Sequence, residues 1–141
     1  MYVLDTDHVT TLQLEAGANY ERLRARLAEI PVGELVSTVV SYEEQTRGWL
    51  SYIAQARTVV HLVESYRRLA LHLENWRRTP ALPFDARAAA QYQRLLRSRL
   101  RVGTMDLRIA AIVLATGSTL LTRNLRDFRQ VPDLRAEDWT A

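Results

Sequence analysis

Asp5 and Asp7 close a short apolar run, Tyr2-Val3-Leu4, and Glu43 and Glu44 follow a second apolar stretch, Leu35–Val40. Asp106 stands at the head of a third apolar segment, and Asn124 and Asp127 come just after a fourth, Thr119–Thr122. Carboxylates brought close together repel one another unless a cation sits among them. Oxygen-only ligands suit a hard cation such as Mg2+ or Mn2+. Such an ion lowers the pKa of a bound water and polarises a phosphoryl oxygen. The basic residues, all 19 of them Arg, supply the complement. Residues 51–105 carry ten Arg against three acids, whereas residues 1–50 carry four against eight. Arg grips phosphate through a planar, bidentate fork. Acidic stations beside a basic middle point to metal-dependent phosphodiester hydrolysis on a polyanion. Solvated helix faces rich in Arg explain the charge alone equally well.

The elements that must position these acids follow from the pattern. Tyr2-Val3-Leu4 reads as a buried strand stopped by Asp5. A polar helix over about Asp7–Leu14 ends at Gly17-Ala18-Asn19, and Leu23, Leu27 and Ile30 then recur at helical spacing up to Pro31. Leu35–Val40 is β-branched and apolar, which predicts a second strand. Ser41 is placed to cap a helix running to about Ala56, and a long helical stretch follows from about Thr58 to Arg77. Thr79-Pro80-Ala81-Leu82-Pro83 is the clearest break. Asp85 caps the next helix, and Thr104 is placed to cap the apolar helix 105–116. Gly117-Ser118 turns into a strand over 119–122, followed by a short helix at about 124–129 and a last short strand and tail within 131–139. Strands that are continuous apolar runs alternating with helices predict a parallel sheet covered on both faces. In such sheets ligands gather at the C-terminal strand ends, near a switch in strand order. All four acidic stations fall there.

Each acid also has a structural role open to it. Glu44 follows Ser41 by three residues, the spacing of a capping box. Glu43 is the adjacent competitor, and either charge is favourable near a helix N-terminus. Asp106 has the same alternative, although most sides of its helix are apolar. Asn124 and Asp127 are ordinary turn or cap residues by type. Asp5 has no evident capping role. His8, His61 and His72 show no metal-ligand spacing and are expected on the surface. Tyr66, Leu69, Leu73 and Trp76 read as packing, and Trp49, Leu50 and Ile53 as an exposed apolar face suited to a protein partner.

The chain has 141 residues, 48% hydrophobic and 25% charged, which fits one globular domain spanning 1–141. The absence of cysteine excludes disulfides, zinc–thiolate sites and cysteine nucleophiles. No apolar run reaches the roughly 18 residues of a membrane span, and the N-terminus lacks the basic region of a signal peptide, so a cytoplasmic protein is expected.

Four segments, "LDTDH" at 4–8, "STVVSYEEQTRG" at 37–48, "GTMDLRIAAIVLA" at 103–115 and "TLLTRNLRDF" at 119–128, are similar in order and separation to those of the PIN-domain ribonucleases. Within that family the chain resembles the VapC toxins of toxin–antitoxin pairs. "LPFD" at 82–85 also resembles the family's lead into its penultimate long helix. The resemblance implies an α/β/α three-layer sandwich around a mostly parallel sheet. It implies Mg2+- or Mn2+-dependent endonucleolytic cleavage of RNA, leaving a 5′-phosphate and a 3′-hydroxyl. It puts the family's acids on Asp5, Glu44 and Asp106, with Asp5 and Asp106 holding metal. In the fourth station Asn124 takes a position often acidic in relatives, leaving Asp127 as the nearby carboxylate. Asp7 stands where many relatives have Asn, as a further ligand or supporting group, and Thr122 is placed to hydrogen-bond an acid or water. Arg123, Arg126 and the Arg residues of 94–101 are candidates for the RNA backbone. The resemblance further implies a VapB-type antitoxin, whose C-terminal segment covers the active site, and a homodimer.

Two other readings compete. "LDTDHV" also fits the D-x-D-x-[TV] signature of haloacid-dehalogenase-like phosphatases, with Asp5 as nucleophile. That chemistry usually recruits a Lys, and the chain has none. A catalytically inactive PIN fold that binds RNA or protein is the other, and the intact set Asp5, Glu44 and Asp106 argues against it.

Overall fold

Tyr2–Leu4 forms strand β1, the middle of a five-stranded sheet in a computed structural model that describes Met1–Ala141. The other strands are β2 (Leu35–Thr38), β3 (Ala81–Leu82), β4 (Thr119–Leu121) and β5 (Arg135–Glu137), in the order β3-β2-β1-β4-β5 with every pairing parallel. The helices are α1 (Thr6–Leu14), α2 (Ala18–Leu27), α3 (Val39–Ala54), α4 (Val59–Arg77), α5 (Ala86–Arg97), α6 (Thr104–Thr116) and α7 (Leu125–Phe128). None is long and apolar enough to cross a membrane.

Adjacent strand residues point to opposite faces, and two cores follow from that rule. Val3, Val36 and Leu120 pack with α3, α5, α6 and α7 through Val40, Leu95, Ile109, Ile112 and Phe128. Leu4 and Leu121 pack on the other face with Val9 of α1, Leu23 of α2, Trp76 of α4 and Trp139 of the tail. The result is the expected α/β/α sandwich. Helix α6 is buried from Ile109 to Val113, as its apolar surround predicts. Gly117 ends it in the left-handed region (φ 62°) with open space around a Cβ. Gly117→Ala is therefore expected to cost about 1 kcal/mol from backbone strain alone. Gly48→Ala, inside α3 and equally unobstructed, is expected to gain up to about 1 kcal/mol. Urea titration of the two variants checks the opposite signs.

Three local expectations are corrected. β2 stops at Thr38, whose hydroxyl caps α3 by accepting the Ser41 N–H at 3.1 Å. Val39, Val40 and Ser41 thus lie in the helix despite their β-branched run, because packing on the core outweighs a small propensity difference. The Pro-flanked break at 79–83 contains β3, where Ser37 N–H bonds the Pro80 carbonyl at 2.8 Å. Gly103, not Thr104, is the N-cap of α6, with no side-chain capping bond.

Candidate active site

The chain moves from β1 to β2 on one side and returns to β4 on the other, so the strand order switches between β1 and β4. Asp5 and Thr122, the residues just beyond those two strands, meet there: Thr122 Oγ1 donates to Asp5 Oδ2 at 2.7 Å. Asp5 Oδ1 accepts the Thr6 N–H at 2.8 Å, so Asp5 is the N-cap of α1 after all. Its side chain is held on both oxygens, and the residue is only 6% exposed. Burial is the main cause that lifts its pKa to about 7; the Asp7 charge adds, the Thr122 and Thr6 bonds oppose, and Asp106 adds further.

Glu44 comes from the second turn of α3. Because Thr38 caps that helix, Glu44 is not half of a capping box. Its Oε1 instead accepts from the Thr6 hydroxyl at 3.2 Å, across 38 residues of chain. Burial raises its pKa, against the Thr6 bond, and the charges of Asp106, Glu43 and Asp7 add to the rise. Glu43 itself turns to Arg47 in an exposed i,i+4 pair at 2.6 Å. Asp106 lies in the first turn of α6. Burial raises its pKa, with Asp127 and Asp7 adding and a bond from Asn124 opposing. The Asn124 amide bridges two carboxylates, donating to Asp106 at 3.4 Å and to Asp127 at 3.1 Å. Asn124 thus offsets, as a neutral donor, the repulsion that a third acid there would add.

Asp7 Oδ2 accepts the Arg123 N–H at 3.0 Å and faces the Thr122 hydroxyl at 3.4 Å. The structure therefore gathers Asp5, Asp7, Glu44, Asp106, Thr122 and Asn124, with Asp127 behind Asn124, and turns Glu43 aside. None of Asp5, Glu44, Asp106 and Asp127 has an ion-pair partner. This donor set fits a hard divalent cation: it is all oxygen, and burial, with neighbouring acids adding, raises the pKa values of Asp5, Glu44 and Asp106. No three acids close into a ready-made cage. Arg94, Arg97, Arg99, Arg101, Arg123 and Arg126 are exposed and form no ion pair. Gln130 bonds the Arg101 carbonyl at 3.4 Å, which ties the loop after α5 to the segment after α7.

The histidines are not surface groups. His8 is fully buried, and His72 is buried with its ring stacked on Tyr42 at 5.3 Å and Nε2 2.8 Å from Thr46 Oγ1. His61 is half-buried against Tyr52. Thr6 and Ser41 are site residues that the sequence reading passed over: Thr6 Oγ1 contacts both Glu44 and Ser41 Oγ. The only signal was the position of Thr6 between two acids. Apolar exposure runs beyond Leu50 (53% exposed) onto α4 at Val59, Val60, Val63, Tyr66 and Leu73.

The chain is 25% identical to Ribonuclease VapC1 of Haemophilus influenzae over 99% of its own length and 98% of that protein's. It superposes on VapBC-1 from nontypeable Haemophilus influenzae with a TM-score of 0.74 at 24% identity, covering 99% of this chain and 98% of that one. FitAcB from Neisseria gonorrhoeae gives a TM-score of 0.70 at 22% identity, covering 99% and 98%. The family model described as the PIN domain matches residues 2–134, and by that match over nearly its whole length the chain belongs to the PIN domain family.

Proposed function

We propose that the chain is a metal-dependent ribonuclease of the VapC toxin type, acting in the cytoplasm on RNA. The observation that carries this reading is the convergence of Asp5, Glu44 and Asp106, from three separate elements, around Asp7, whose charge adds to burial in raising all three pKa values. Asp5 and Asp106 would hold Mg2+ or Mn2+, which when bound activates water and offsets charge on the phosphoryl oxygens. Glu44, whose pKa burial raises, orients the attacking water and takes its proton. The water oxygen bonds to phosphorus as the bond to the 3′-oxygen breaks, and the leaving oxygen takes a proton from solvent, giving a 5′-phosphate and a 3′-hydroxyl. Thr122 and Thr6 fix Asp5 and Glu44, and Asn124 spaces Asp106 from Asp127. The unpaired Arg residues hold the RNA backbone, which makes binding salt-sensitive.

The relatives named above include VapBC complexes, and the apolar exposure on α3 and α4 offers area for a VapB-type antitoxin. A homodimer is part of the same proposal. The test is cleavage of a mixed RNA panel with Mg2+, Mn2+ or EDTA, beside an Asp5→Asn, Asp106→Asn double variant. Metal-dependent cuts are expected, lost in EDTA and in the variant. Cuts that persist in the variant, or no cleavage together with no metal binding by calorimetry, overturn the reading.

A further inference from the structure

His8 has 0% exposure and sits between the acidic cluster and the far end of the chain. The backbone N–H of Trp139 donates to its Nε2 at 3.2 Å, across 131 residues. A backbone amide can only donate, so Nε2 must present a bare lone pair and the ring proton must sit on Nδ1. Nδ1 lies 2.6 Å from Asp7 Oδ1. The other acid nearby, Asp138, is 3.8 Å from Nε2, and its Oδ1 already accepts from the Thr140 N–H and hydroxyl at 2.8 and 2.6 Å. The ring therefore has one acceptor for its proton. Asp7 is then held on both oxygens, Oδ1 by His8 and Oδ2 by the Arg123 amide. Its placement matters because Asp7 is the one acid whose charge acts on Asp5, Glu44 and Asp106 alike.

We propose that His8 is a positioning residue of the active site: pinned by the Trp139 amide in its Nδ1–H form, it fixes the Asp7 carboxylate beside Asp5 and Thr122 and so sets the field in which the cluster takes up its divalent cation. The Asp138–Thr140 segment thereby becomes part of the site's support. This inference rests on the nuclease reading of the cluster. Groups that orient metal-site carboxylates typically contribute tenfold to 100-fold in metal affinity or activity.

The experiment pairs two variants with a spectrum of the wild type. His8→Asn retains a donor close to the Nδ1 position, whereas His8→Gln retains an acceptor for the Trp139 amide and loses the donor to Asp7. His8→Gln is expected to weaken Mn2+ binding, by calorimetry, and to lower kcat by about tenfold to 100-fold, with KM for RNA little changed; His8→Asn is expected to recover most of both. A group that serves packing alone would lower stability in both variants and leave Mn2+ affinity and kcat of the folded protein intact, which overturns the proposal. Long-range proton–nitrogen correlation spectra of the metal-free wild type are expected to show Nδ1 protonated and Nε2 bare. A proton on Nε2 overturns the proposal even if neither variant folds. A wild type with the expected ring form that neither binds Mn2+ nor cleaves RNA overturns the nuclease reading instead, and with it the role given to Asp7.

Discussion

Asp5→Asn is expected to abolish RNA cleavage and, in the metal-free protein at pH 8, to raise the melting temperature. The two effects have one cause. Folding buries Asp5 and surrounds it with Asp7 and Asp106, which lifts its pKa from 3.8 to about 7. An acid whose pKa rises on folding binds its proton more tightly in the folded state. Stability therefore falls as pH climbs from about 4 to about 7, and the full penalty stands above 7. Each pKa unit is worth about 1.4 kcal/mol, so the ceiling is roughly 4 kcal/mol. The amide removes that penalty but loses an acceptor for the Thr122 hydroxyl, a bond worth about 1.5–3 kcal/mol to a charged group. A net gain of about 1–2.5 kcal/mol remains, or a few degrees for a chain of this size. The gain should shrink as pH falls and vanish below about 3.8, where wild-type Asp5 is protonated in both states. Activity should drop by about 1000-fold or more, since a carboxylate that binds metal and directs its neighbours is gone. Melting curves at pH 5 and 8, with cleavage assayed on the same preparations, check both halves. A variant less stable than wild type at pH 8 would show that the cap on Thr6 and the Thr122 bond outweigh the repulsion. Such a gain in stability at the expense of function is common where a site is strained for its task.

The second large effect is the converse. Mg2+ or Mn2+ should stabilise the wild type, and more strongly above pH 7 than at pH 5.5. Below 7 a cation must displace the proton from Asp5, and the raised pKa values of Glu44 and Asp106 add to the same competition. Above 7 the carboxylates are charged and their repulsion is unrelieved. At 100 times its dissociation constant an ion would add about 2.7 kcal/mol. Cleavage should rise with pH through the same interval, as Asp5 loses its proton and can take up the cation. The stabilisation should vanish in the Asp5→Asn, Asp106→Asn double variant. Differential scanning of both proteins with and without Mn2+ at the two pH values measures it. Equal stabilisation of both proteins would place the cation elsewhere on the surface and sink the assignment of Asp5 and Asp106.

The sequence by itself determined the strands β1, β2 and β4, the buried helix α6 and the position of Asp5, Glu44, Asp106 and Asn124 along the chain. These are legible because an apolar run that stops at an acid marks where a buried strand or helix meets the open edge of a sheet. The burial of a helix apolar on nearly every side is equally local information. The chain could not show which of Glu43 and Glu44 faces the cluster, because neighbours on a helix differ in direction only once the helix start is known. Tertiary structure decided that start by capping α3 at Thr38, and the Thr6 hydroxyl then meets Glu44 while Arg47 draws Glu43 outward. β3 was hidden by its two-residue length between prolines. His8 read as a polar surface group because α1 carries no clear apolar stripe. Its burial depends on Trp139, whose amide reaches it only after the sheet has brought the two ends of the chain together. Periodicity reports the face of its own element, whereas the Asp5–Thr122, Thr6–Glu44 and His8–Trp139 contacts join residues 117, 38 and 131 positions apart. Such contacts are fixed by packing two cores against one sheet, and no local pattern encodes them.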